Sequence, residues 1–195
     1  MNGKITLKEW QEKLDNLNKW REGQRGPDGK NKVINDVCNA VKGYVHYNPG
    51  VIFSLAKKKG KVLDVGCGDH AQWKSVMKDC EYTGIDPVCE DKEKNILKMM
   101  GEEIAGKLLI NSFDHVICFS TLQHCYNPDN FLEGIRYVLR QEGYLYMTVV
   151  LFGKGGLYTY EFTEADIYDL MERHNFKIDF DFCFNGVMYL MAKQK

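Results

Sequence analysis

The chain has 195 residues, 44% hydrophobic and 27% charged, which suits one ordinary globular core. Lys and Arg number 26 against 27 Asp and Glu, a formal net charge of −1, so no global field draws the chain to nucleic acid or an anionic membrane, and a small-molecule partner is expected. No apolar run reaches membrane-span length, Met1–Ile5 lack a secretory h-region, and the seven cysteines include no Cys-x-x-Cys pair; the reading is a cytoplasmic protein with reduced thiols and no metal.

Thr6 with Glu9 makes a capping box, and Leu7, Trp10, Leu14 and Leu17 follow at helical spacing. Gly23 to Gly29, with Pro27 inside, breaks that helix. Val33, Ile34, Val37, Ala40, Val41 and Tyr44 restart the period, and Asn48-Pro49 opens a third helix closed by Gly60.

From residue 61 short apolar runs alternate with polar helical stretches, the pattern of a parallel sheet with crossovers. Strands are predicted near 61–65, 81–86, 96–100, 113–119 and 143–151. A helix carrying Phe131, Leu132, Ile135, Val138 and Leu139 on one face ends at Gln141-Glu142-Gly143. Thr163 with Asp166 caps a further helix that stops at Asn175, and Asn185-Gly186 joins two final strands near 176–183 and 186–192.

Lys61 to Ala71 reads as a β-branched strand that breaks at Gly66-Cys67-Gly68 and then enters a helix. Glycine there admits a ligand close to the backbone. Asp86, at the end of the next strand, is placed to accept hydrogen bonds from both hydroxyls of an adenosine ribose. Gly66-x-Gly68-x-x-Ala71 with Asp86 also satisfies a nicotinamide-dinucleotide fingerprint, so these residues alone leave two cofactor classes open. A short-chain reductase would add Tyr-x-x-x-Lys on a central helix, and the one such spacing, Tyr189 to Lys193, falls in the apolar final strand.

The order of motifs resembles the class I S-adenosylmethionine-dependent methyltransferases, in particular the group with small-molecule and sugar-modifying members. The resemblance runs over residues 60–193. It rests on Val62 to Gly68, Tyr82-Thr83-Gly84-Ile85-Asp86-Pro87, Ser112 to Cys118, Leu122-Gln123-His124, Tyr137 to Gly143, and Phe162 to Asp166.

It implies an α/β fold: a Rossmann-like, doubly wound, seven-stranded and mostly parallel sheet with a C-terminal antiparallel hairpin and N-terminal helices. The whole chain is then a single domain, residues 1–59 a helical cap and 60–195 the core. The cofactor implied is S-adenosyl-L-methionine, its product S-adenosyl-L-homocysteine. By the resemblance Asp64 organises the glycine turn, Gly66, Cys67 and Gly68 pack on the methionine part, Asp86 binds ribose with Pro87 beside it, and Gly101-Glu102 brings Glu102 to adenine. Residues 88–95 are too few for a full crossover helix and are predicted as a turn. Met99, Met100 and Ile104 are candidate apolar walls or plain core.

Ligands of open α/β sheets lie beyond the carboxyl ends of the strands, a rim that gathers Gly66, Asp86, Ser120, Thr121, Gln123 and His124. Ser120 is assigned to the cofactor and His124 to the acceptor, as a general base or as a loop-orienting residue. Trp10, Trp20, Arg21 and Tyr47, and the loop Phe152 to Tyr160, are candidates for a lid. His70 follows the glycine turn without a partner at metal-ligand spacing. The acceptor expected is a small molecule, with a sugar or metabolite hydroxyl as the finer reading. The alternatives are a dinucleotide-dependent oxidoreductase and a non-catalytic cofactor-binding protein.

Overall fold

A computed structural model describes residues 5–23, 55, 57–69, 71–151 and 159–195. The helices predicted over 33–44 and from Asn48, the residues His70 and Tyr47, the side chains of Trp20 and Arg21, and the loop 152–158 lie outside the described residues.

Strands β1 (Gly60–Val65), β2 (Cys80–Asp86), β3 (Ile96–Lys98), β4 (Phe113–Phe119), β5 (Leu139–Val150), β6 (Phe176–Phe184) and β7 (Val187–Gln194) form one sheet in the order β3-β2-β1-β4-β5-β7-β6. Neighbours from β3 to β5 are parallel, and β7 runs antiparallel to both β5 and β6. Six strands therefore point one way and β7 the other. This is the Rossmann-like sheet with its C-terminal hairpin. Strand order reverses between β1 and β4, and that reversal opens a crevice at their carboxyl ends.

Four α-helices accompany the sheet among the described residues: α1 (Leu7–Gly23), α2 (Ile104–Lys107), α3 (Pro128–Val138) and α4 (Glu164–Arg173). None is long and apolar enough to cross a membrane. Side-chain alternation gives the sheet two buried faces. Leu63, Val65, Val116, Cys118, Leu145 and Met147 meet the apolar sides of α3 and α4 through Phe131, Leu132, Ile135, Ile167 and Leu170. Val62, Tyr82, Ile117 and Tyr146 line the opposite face with Ala71 and Met77.

The caps behave as read. Thr6 and Glu9 exchange hydrogen bonds at the start of α1, and Thr163 and Asp166 do so at the start of α4. Asn175, Asn185 and Gly186 all take positive φ, which turns the chain after α4 and between β6 and β7.

Two expectations are corrected. Among the described residues no α-helix follows the glycine turn, and before β2 Gln72–Ser75 form a 3-10 turn. Its N-cap, Ala71, has φ 44° and supplies no side-chain acceptor, and Met77 and Val76 both donate to the Trp73 carbonyl, closing the coil after one turn. Further along, α3 stops at Val138 and Leu139 already belongs to β5, whereas the sequence put a turn at residues 141–143. The last helical carbonyls are taken by other partners. Asn111 and Ser112 donate their N–H groups to Tyr137 and Val138, and the Gln194 side chain donates to Arg136 and Leu139 at 2.7 and 2.6 Å, so no glycine cap is needed. Residues 88–95 form a turn, as expected.

Candidate active site

The crevice at the strand ends is a cleft that opens to solvent. Its floor is Val65 and Gly66 at the end of β1, Ile85, Asp86 and Pro87 at the end of β2, and Ser120 and Thr121 after β4. Met99, Met100, Gly101 and Glu102 form one wall with Phe131. Trp10, Leu14 and Leu17 of α1 form another, and His124 and Cys125 complete the lining.

Gly66 and Gly68 both have positive φ, 77° and 62°. A Cβ on Gly66 would lie 2.2 Å from Thr121 Oγ1, whereas one on Gly68 would meet no protein atom within 4 Å. Thr121 thus fixes the first glycine sterically. At Gly68 the left-handed backbone calls for glycine, and the open side of the residue leaves room for a ligand to approach. The turn is tied to β2 by Gly66 N and Cys67 N donating to the Ile85 carbonyl.

Asp86 is 3% exposed. Its Oδ2 accepts from Gly68 N at 3.1 Å and its Oδ1 from Val88 N at 3.0 Å. Each oxygen retains acceptor capacity for a hydroxyl, and the carboxylate lines the cleft. These residues fit a ribose.

Asp64 does not line the cleft. It lies beneath the turn, 2% exposed, and accepts a hydrogen bond from the Tyr82 hydroxyl at 2.5 Å. Burial pushes its carboxyl up to about 7, against the pull of that bond. Cys67 likewise points away, its Sγ 2.7 Å from where a Cβ of Gly84 would stand, and burial first, then Asp64 and Asp86, raises its thiol well above the ordinary range.

Glu102 reaches the cleft but is engaged. Its Oε1 accepts from Tyr126 N at 2.5 Å and Asn127 N at 2.9 Å, bracing the loop between β4 and α3, and burial raises its carboxyl. That loop is clasped from two more directions. Trp10 Nε1 donates to the His124 carbonyl at 2.8 Å, Thr159 N and Tyr160 N both donate to the Gln123 carbonyl, and the Tyr160 hydroxyl donates to the Tyr126 carbonyl at 2.8 Å. Ser120, at φ 52°, is held by its N–H donating to Thr148.

Of the residues expected at the site, Gly66, Asp86, Pro87, Glu102, Ser120, Thr121 and His124 line the cleft, Gly68 is bonded to Asp86 beside it, and Gln123 is buried outside the lining. Leu14, Leu17, Cys125 and Phe131 were not foreseen there. Their helical periodicity or apolar character marked them as buried, and nothing in a single sequence says against what.

A methyltransferase domain model matches residues 44–179. The chain belongs to that family. It is an S-adenosylmethionine-dependent methyltransferase, and the dinucleotide fingerprint carried by Gly66, Gly68, Ala71 and Asp86 is accounted for by that cofactor. Among solved structures, the chain is similar to 1,6-didemethyltoxoflavin-N1-methyltransferase of Burkholderia thailandensis, which was solved with 1,6-didemethyltoxoflavin and S-adenosylhomocysteine. The two share 15% identity at a TM-score of 0.71, over 100% of this chain and 93% of that one. A methyltransferase of Thermotoga maritima, described as a possible histamine N-methyltransferase, is 16% identical at a TM-score of 0.59, over 81% and 96%. The [4+2]-cyclase SpnF shares the fold at 15% identity and a TM-score of 0.61, over 74% and 78%. No curated protein matches the sequence.

Proposed function

We propose that this methyltransferase acts on an uncharged small metabolite, at a hydroxyl such as that of a sugar or at a ring or amine nitrogen. The observation that carries the reading is the character of the cleft. Its two carboxylates, Asp86 and Glu102, already accept backbone N–H bonds, and the other lining residues are apolar or neutral apart from His124. No lysine or arginine stands among the described lining residues to meet an anionic acceptor, and in this reading both carboxylates are committed to the cofactor. The Burkholderia enzyme, whose name gives a ring nitrogen as its target, supports the nitrogen reading, and the hydroxyl reading rests on the family resemblance.

The cofactor supplies an already activated methyl group, so the chain's own work is to bind, align and exclude water. In this reading Asp86 accepts the ribose hydroxyls, with Pro87 beside it. Gly66, Cys67 and Gly68 give the backbone a close approach, and Asp64 organises the turn from below. Met99, Met100 and Phe131 enclose the flat base, and Glu102 reaches its amino group. Ser120 contacts the cofactor from the floor of the cleft. His124 takes the acceptor proton, its loop held rigid by Trp10 and Tyr160. We also place residues 1–59 as a cap on the 60–195 core within one domain, which the lining by Trp10, Leu14 and Leu17 supports. A cytoplasmic setting accords with described cysteines that are not joined in disulfides.

Transfer of labelled methyl from S-adenosylmethionine to a panel of neutral heterocycles, sugars and charged metabolites tests this. Turnover confined to neutral acceptors, with kcat lowered about a hundredfold by His124→Gln at unchanged cofactor affinity, is expected for a general base. Preference for a charged acceptor would overturn the reading.

A further inference from the structure

Asp64 and Tyr82 form a buried pair that the reaction outlined above leaves unused. In the parallel register of β1 and β2, Tyr82 stands beside Val62 and Gly84 beside Asp64, so the tyrosine reaches the carboxylate diagonally across the strands. Gly84 makes this possible. A Cβ there would fall 2.7 Å from Cys67 Sγ and 3.3 Å from Tyr82 Cε1, so any side chain would push the ring and the turn cysteine apart.

The ring is also fixed from outside the strand pair. Lys74, in the 3-10 turn, holds its ammonium 5.9 Å from the Tyr82 ring centroid, and Asn95 Nδ2 donates to the Tyr82 carbonyl at 2.7 Å. Both contacts come from the segments that replace crossover helices in this chain, residues 66–79 and 87–95. Parallel strands ordinarily need a dozen or more residues and a helix between them. Here polar contacts around Tyr82 do part of that helix's work.

Asp64 has no cation facing it among the described residues. The groups around it are Tyr82 from β2, Cys67 from the turn, Asp86 from the end of β2 and Cys118 from β4. Burial and Asp86 both oppose its ionisation, and the Tyr82 hydroxyl is the donor that favours it. The hydroxyl itself is pushed far above its ordinary range, first by burial and then by Asp64, so it stays a donor.

We infer that Tyr82 is a positioning residue for cofactor binding: acting through Asp64, it holds an ionised carboxylate beneath the Gly66–Gly68 turn, where the charge attracts the cationic aminoacyl end of the cofactor. Binding then draws a proton off Asp64, and affinity rises with pH while that proton is still shared. The inference rests on the methyltransferase assignment.

The test is calorimetric titration of the full chain with S-adenosylhomocysteine from about pH 5.5 to about pH 8, with the titration of the ligand's own amine measured separately and subtracted. Wild type, Tyr82→Phe and Asp64→Asn are compared. Wild-type affinity should climb about tenfold across the range, with proton release on binding near neutrality. Tyr82→Phe, which removes the favouring donor, should displace the climb to higher pH, weakening binding roughly fivefold near pH 7 and recovering as pH rises. Asp64→Asn should bind weakly with no pH dependence from this site, and it decides the question if Tyr82→Phe does not fold. An equal loss at every pH for Tyr82→Phe, or an unchanged climb in Asp64→Asn, would overturn the inference. Absence of wild-type binding at every pH would instead strike at the cofactor assignment beneath it.

Discussion

Trp10 donates its indole N–H to the main-chain carbonyl of His124 across 2.8 Å, joining α1 to the loop after β4. Trp10 is 4% exposed and its ring meets Tyr126 edge-on, with centroids 6.2 Å apart. One side chain thus closes a wall of the cleft and sets the backbone that carries His124.

Replacing Trp10 separates these contributions. Trp10→Phe keeps most of the ring and loses the hydrogen bond, and should cost about 1 kcal/mol of stability in urea unfolding. Trp10→Ala removes the ring as well and should cost about 3–5 kcal/mol. Both should weaken S-adenosylhomocysteine binding, the alanine variant more.

Glu102 offers a similar separation. Glu102→Ala strands two backbone N–H groups, at Tyr126 and Asn127, and should cost about 1–3 kcal/mol for each left without a partner. Glu102→Gln retains a carbonyl acceptor for both and should unfold nearly as the wild type does. A cofactor affinity lowered in the glutamine variant at unchanged stability would assign Oε2 to the adenine, while equal affinities would leave Glu102 a brace for the loop.

The two glycines of the turn should respond differently. Gly66→Ala combines positive φ with a Cβ 2.2 Å from Thr121 Oγ1, and thermal unfolding should show a loss well above the cost of the backbone conformation alone. Gly68→Ala meets no protein atom, so only the left-handed backbone penalty of about 1–2 kcal/mol applies to the ligand-free protein. Its cofactor affinity should nevertheless fall by tenfold or more, because the added methyl occupies the ligand's side of the turn.

Stability should also depend on pH in two opposed ways. The Asp64 carboxyl is raised in the fold to about 7 by burial, so its contribution is fully present below its unfolded value near 3.9 and is lost as pH rises through about 7. Asp166, lowered by the Thr163 N–H and hydroxyl, and Glu133, lowered by the Arg136 guanidinium, act with the reverse sign: their contribution is present above their unfolded values and is lost as pH falls through the folded ones. Wild-type stability should therefore decline from mildly acid pH toward neutrality. Asp64→Asn should remove that decline and leave the acid limb unchanged, a comparison made by urea titration across pH.

Much of this was legible in the sequence, for identifiable reasons. Val62 to Val65 and Val116 to Cys118 are apolar on both strand faces, which is how a buried parallel strand reads. Asn185-Gly186 and the Thr163–Asp166 pair carry their backbone geometry in their own side chains. Asp86 was placed by its distance beyond the glycine turn. The helix expected after that turn was not there, because Ala71 in the left-handed region breaks the coil, and alanine carries no signal for it. The end of α3 was missed because its carbonyls are satisfied by Gln194, 55 residues beyond Leu139. The bracing by Glu102 and Tyr82 is likewise tertiary, and a residue type alone gives no sign of it.

The most direct measurement is calorimetric titration of the purified protein with S-adenosylhomocysteine, and separately with NAD under identical conditions. The account predicts saturable binding of S-adenosylhomocysteine alone, near micromolar affinity or about −8 kcal/mol, abolished or sharply weakened by Asp86→Ala. Binding of NAD alone would contradict it and turn the search for substrates to redox chemistry.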